Sequence, residues 1–134
     1  MVDFLEVNYF AVLLATVATM IIGFLWYSPV LFGNVWMKEI GLKPESMSGG
    51  GPKTYVLTAL TALIGAFLLA LLLTLVEEKT LVSGVTIAMI MAISISAKIG
   101  MNYLFESRSS RLYMITIGYH LVSYLVAGII IGLM

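Results

Sequence analysis

Cysteine is absent from this chain of 134 residues, which removes disulfides, thiolate nucleophiles and thiolate metal sites from consideration. Charge is scarce. Asp, Glu, Lys and Arg make up 10% of the sequence, against about 25% in soluble domains. What charge there is sums to zero, so composition offers no basic surface for a nucleic acid. Histidine occurs once, and one imidazole without thiolates is a poor basis for a zinc site. No glycine-rich phosphate loop, dinucleotide fingerprint or haem motif is found, and no metal or other cofactor is expected. A basic leader is missing too. Asp3 and Glu6 precede the first apolar run, so that run reads as a span rather than a cleaved signal.

Apolar residues fill the sequence instead, at 61%. A soluble fold of this length leaves roughly 30% of its unfolded surface in water, too much for such a composition. A bilayer removes the difficulty. Four apolar runs, at residues 8–27, 55–76, 81–105 and 112–134, are each about as long as the ~20 residues that cross a ~30 Å hydrocarbon core. Backbone groups in lipid must be satisfied internally, so all four are expected to be helices. The expected fold class is an all-α polytopic membrane protein. It is one domain, a bundle of four transmembrane helices in the cell membrane (plasma or inner).

Amphipathic aromatics Trp26 and Tyr27 close the first run at an interface. After them, Ser28 suits a helix cap and Pro29 a first helical position. Leu31, Phe32, Val35, Trp36 and Ile40 then recur at helical spacing, which predicts an interfacial helix over residues 29–40. Ser48, Gly49, Gly50, Gly51 and Pro52 read as a linker back to the membrane. Glu77, Glu78 and Lys79 form one tight turn, and residues 106–111 another. Lys38, Lys43, Lys53, Arg108 and Arg111 fall on one side of the membrane and Lys79 on the other. The positive-inside rule then places both termini on the non-cytoplasmic side.

The third run carries two opposed faces. Gly84, Ala88, Ala92, Ser96 and Gly100 recur every fourth residue, a small-residue ridge suited to close helix packing. Ser94, Lys98, Asn102 and Glu106 form a polar ridge about 200° around the helix. Lipid is a poor partner for either ridge, so this helix is expected to be central. In the fourth run Thr116, Tyr119, His120, Ser123 and Tyr124 share a stripe.

Depth along the helices places Lys98, Asn102, Tyr119, His120 and Thr19 in one layer, with Thr61 nearby in level and Glu106 toward the helix end. Lys98 has two readings. It snorkels to the headgroups, or it is an interior cation facing a hydrated cavity or anionic ligand. Direct pairing with Glu106 is not expected, since the two are separated by about 12 Å of helix rise. His120 is either a hydrogen-bonded tie between helices or a proton relay or ligand contact. Asn102 and Tyr119 are expected to be interhelical hydrogen-bond partners. The acids Asp3, Glu6, Glu77 and Glu78 read as a solvated rim.

Gly23-Phe24-Leu25-Trp26-Tyr27-Ser28-Pro29, with Leu31-Phe32-Gly33 and Trp36, makes one signature. Asn102-Tyr103-Leu104-Phe105-Glu106, Arg108 and Gly118-Tyr119-His120-Leu121 make a second. Together they resemble the family called domain of unknown function 1761. The resemblance covers nearly the whole chain and implies a small four-helix membrane protein of bacterial type. It implies no activity. Trp26, Tyr27, Pro29, Asn102, Glu106, Tyr119 and His120 match its pattern, whereas Lys98 stands outside it.

Three functions are weighed on these residues. The first is a homo-oligomeric path for an ion or small polar solute, lined by the polar layer. The second is a non-catalytic module binding membrane lipid or a partner membrane protein through residues 29–40 and their basic neighbours. An intramembrane enzyme comes third: it would depend on His120 and Glu106, and no third group completes a catalytic arrangement.

Overall fold

The computed structural model describes residues 1–41 and 51–134. It contains five helices and, among the described residues, no strand: α1 (Tyr9–Trp26), α2 (Gly33–Ile40), α3 (Gly51–Leu73), α4 (Leu81–Phe105) and α5 (Ser110–Leu133). The four helices α1, α3, α4 and α5 are long and apolar enough to cross a membrane. Lys43, Ser48, Gly49 and Gly50 lie outside the described residues.

Local chemistry explains the helix ends. Asn8 caps α1, its side chain accepting from the Ala11 amide at 3.1 Å. Thr80 and Ser83 form a reciprocal capping box at the start of α4, which satisfies two otherwise free amides. Ser109 caps α5 through the Leu112 amide at 3.1 Å.

Two expected boundaries need correction. The third element starts at Gly51 rather than residue 55 and stops at Leu73 rather than residue 76. Pro52 sits in its first turn, where proline fits because that amide has no helical partner. At the other end, the Thr74 and Leu75 amides turn back to Leu71 and Leu72 at 3.1 and 3.0 Å, tightening the chain out of the helix.

The interfacial helix begins at Gly33, not at residue 29. The Ser28 hydroxyl donates to the Leu25 carbonyl at 2.7 Å and so does not cap a helix. The Ser28 carbonyl accepts from Leu31 and Gly33 at 3.1 and 2.9 Å, folding residues 28–33 into a turn with Pro29 exposed on it. A side chain at Gly33 would collide with the Tyr27 and Ser28 carbonyl oxygens. Gly41, with φ of 78°, ends α2, in a conformation glycine adopts without strain.

The central helix is α5, not α4 as the ridges suggested. α5 packs most extensively on α4, then on α1, and touches α2 and α3; α1 also packs on α3, while α3 and α4 touch little. Gly84, Ala88, Ala92 and Ser96 are indeed buried, and α5 is the neighbour that α4 packs on most. A side chain on Gly84 would collide with the Gly128 carbonyl oxygen and lie 2.9 Å from Gly132 Cα. Small residues thus bring these two backbones together, where dispersion and weak polar contacts hold them. The core beside this seam is made of Val12, Ala15, Leu69, Leu73, Ala88 and Ile131 with their neighbours. Outward, Leu13, Val17, Ile64, Val82 and Ile93 are exposed, an apolar girdle that lipid covers and water would not.

Candidate intramembrane cavity

A cavity of about 280 Å³ opens among α1, α3, α4 and α5. α1 contributes Thr19, α3 contributes Thr58 and Thr61, and α5 contributes Tyr119, His120 and Tyr124. The hydroxyls are tied to backbone. Thr19 donates to the Ala15 carbonyl at 2.8 Å, Thr61 to Thr58 at 2.7 Å, and Thr58 to Thr54 at 2.7 Å. The Tyr119 hydroxyl crosses to α1 and donates to the Thr19 carbonyl at 3.1 Å. Each such oxygen keeps acceptor capacity after donating.

Two groups are left over. Among the described residues, neither the His120 ring nor the Tyr124 hydroxyl has a hydrogen-bond partner, and neither is sealed from open space. They therefore present a donor and acceptor pair to whatever fills the cavity. The Tyr124 hydroxyl reaches α3, where Gly65 makes room; a side chain there would lie 3.0 Å from it. Among the described residues, no titrating acid or base other than His120 and the tyrosine phenols lines the space.

Aromatic rings cover the end of the cavity nearest α2. Tyr27 packs on Tyr119 at 5.7 Å and on Trp36 at 5.2 Å, Trp26 on Phe32 at 4.8 Å, and Phe24 on Tyr55 at 5.8 Å. Trp26 is fixed by its indole N–H, which donates to the Ile115 carbonyl at 2.9 Å. Leu69, Ala70, Ala88 and Ile131, all buried, fill the bundle toward the opposite end. Thr58 and Thr61, which line the space, are themselves exposed.

The structure brings Thr19, Tyr119 and His120 together and leaves Lys98, Asn102 and Glu106 elsewhere. Lys98 and Asn102 are exposed on the outer face of α4. The nearest acceptor to the Lys98 ammonium is the Met101 sulfur at 4.0 Å. Glu106 caps α4 and pairs with Arg108 at 2.9 Å. The reason is angular: the small ridge faces α5, so residues opposite it must face out of the chain. Trp26, Tyr27 and Trp36 join the aromatic cover, while Pro29 stays outside it on its turn. Sequence reasoning left Thr58, Gly65 and Tyr124 out of the polar layer. A signal existed in their spacing, since Tyr124 follows His120 by one turn and Gly65 follows Thr61 by one turn.

No group of His, Asp and Glu able to bind a metal ion occurs among the described residues. The Ser123 hydroxyl donates to the backbone carbonyl of His120 at 3.2 Å rather than to its ring, so no hydroxyl–imidazole pair forms.

A family model described as Protein of unknown function (DUF1761) matches residues 10–132. No curated protein and no solved structure matches the chain.

Proposed function

We propose, for a chain that belongs to the DUF1761 family of proteins of unknown function, that this membrane protein binds a small uncharged polar solute in its intramembrane cavity and, as a homo-oligomer, provides a path for it. One observation carries the reading: a cavity of about 280 Å³ within the spans, lined by His120 and Tyr124, whose side chains make no hydrogen bond among the described residues. Taking a charge into such a site without a counter-charge is costly, whereas a neutral hydroxyl or amide needs only a donor and an acceptor. At ~30 Å³ per water the space has room for about nine waters, or for a small organic molecule.

One chain alone makes a pocket rather than a path, because the far end is filled by core. The homo-oligomer draws support from the outer face of α4. Ser94, Lys98 and Asn102 are exposed there, and lipid solvates such groups badly. Lys98 also lies about 60° around α4 from Ile95, which lines the cavity. A second copy laid on the polar ridge therefore lies next to the cavity wall as well. In this reading the end carrying Lys38, Lys53, Arg108 and Arg111 is cytoplasmic, and the termini are on the other side.

The test is uptake by proteoliposomes of small neutral solutes (glycerol, urea) and, in parallel, of protons and monovalent ions. Ala62 lines the cavity, so Ala62→Leu fills it without removing a polar group. Neutral-solute uptake is expected to fall about tenfold in Ala62→Leu and in His120→Ala, a loss of about 1.4 kcal/mol in the barrier-limiting interaction. Neutral-solute uptake that persists unchanged in a folded Ala62→Leu protein, or flux of ions alone in the wild type, would overturn the proposal.

A further inference from the structure

A second recess lies at the α2 end of the bundle, separate from the intramembrane cavity. It measures about 740 Å³, between α2 and the turn joining α4 to α5. Its walls combine two chemistries. Trp36, Ile40, Tyr103 and Leu112 supply aromatic and aliphatic surface, while Ser107 and Arg108 supply donors. Arg111 stands beside it through its contact with Glu39.

The acids at the recess are already engaged. Glu39 accepts from the Ser109 hydroxyl at 2.6 Å and lies 3.7 Å from Arg111. Glu106 takes the Arg108 Nε at 2.9 Å. That bond uses only one edge of the Arg108 guanidinium, which also lies over the Tyr103 ring at 5.4 Å. Arg111 is loosely held and largely exposed. Lys38 is exposed on α2 as well, on the face turned from Trp36 and Ile40. Guanidinium N–H groups left over in this way suit the two free oxygens of a phosphodiester.

We infer that this recess binds the headgroup of an anionic phospholipid, with Arg108 and Arg111 on the phosphate and Trp36 against the glycerol and upper acyl chain. Lipid is favoured over free phosphate because the donors sit beside apolar walls. Leu31 and Val35 are also exposed on the adjoining turn and helix, at the end of a bundle whose aromatics mark an interface. The site is independent of solute binding in the intramembrane cavity, so either proposal can fail alone.

Fluorescence of Trp36 reads the site directly. The chain has two tryptophans, so Trp26→Phe leaves Trp36 as the sole reporter. The full chain is reconstituted in phosphatidylcholine vesicles containing either brominated phosphatidylglycerol or brominated phosphatidylcholine. Expected is quenching that shows a preference for phosphatidylglycerol on the order of fivefold. Arg111→Gln should reduce the preference and Arg108→Gln with Arg111→Gln abolish it, whereas Lys53→Gln, at the same end but outside the recess, should leave it intact. Arg111 is exposed enough for its single variant to fold normally, which keeps the test decisive if the double variant is unstable. Equal quenching by the two brominated lipids would overturn the inference. So would an effect of Lys53→Gln as large as that of Arg111→Gln, which signals general surface charge. Loss of the preference on adding inorganic phosphate would show a free-anion site instead and overturn it likewise.

Discussion

Trp26 shows how one side chain joins the interface to the bundle. Its indole donates to the Ile115 carbonyl at 2.9 Å, and its ring edge lies over Gly118, where an added Cβ would come within 2.7 Å of Cζ2. Trp26→Phe keeps an aromatic ring and removes the bond, and should lower unfolding free energy in detergent by on the order of 1 kcal/mol. Gly118→Ala must displace the indole and should cost more, roughly 1–3 kcal/mol. Equal stability of both variants with the wild type would mean the indole does not tie α1 to α5. At this scale the sequence announces residue types but not directions. Trp26 and Tyr27 were legible as interfacial because their chemistry selects that depth. Lys98 was not legible as outward-facing, because depth along a helix says nothing about angle around the bundle axis. His120 and Tyr119 fell in the cavity because they lie on the central helix, which buries most of its circumference.

Among the elements, the α4–α5 pair contains the closest packing. A Cβ on Gly128 would sit 2.7 Å from the Ala88 Cβ and 2.6 Å from the Gly84 carbonyl oxygen. Gly128→Ala should therefore separate the helices and cost roughly 1–3 kcal/mol by overpacking. Gly100→Ala meets only the tip of Tyr113, at 3.1 Å, and gains helix propensity of about 1 kcal/mol, so it should be near neutral. Denaturant titration of the two variants separates them; equal losses would show that the backbones are not in contact at Gly84. The bounds of α4 were readable because Thr80 and Ser83 box its start and apolar residues run unbroken to Phe105. The start of α2 was misread because Ser28 and Pro29 carry the signals of a helix start, yet Ser28 spends its hydroxyl on Leu25. Small residues every fourth position showed that α4 packs closely. They could not show that it does so chiefly against one neighbour.

For the molecule as a whole, the lack of cysteine makes single-cysteine variants a clean probe of arrangement. Lys53→Cys and Lys79→Cys should label with an impermeant maleimide from opposite sides of the membrane, Lys79→Cys from outside the cell. Asn102→Cys, on the outer face of α4, should cross-link to a second copy under mild oxidation, and Leu13→Cys, on the outer face of α1, should not. Same-side labelling would overturn the orientation, and absence of the Asn102→Cys dimer would remove the two-copy path. α5 is the last of the described helices in the chain, and α4, α1, α3 and α2 all rest on it. During synthesis, the earlier spans therefore leave the ribosome with little beyond the α1–α3 contact to settle on. They wait in the bilayer with the Thr19 carbonyl and the α4 seam unmatched until α5 arrives and packs against them. A nascent chain interrupted before α5 would be recognisable to membrane quality control as unassembled, however well its first three spans had inserted.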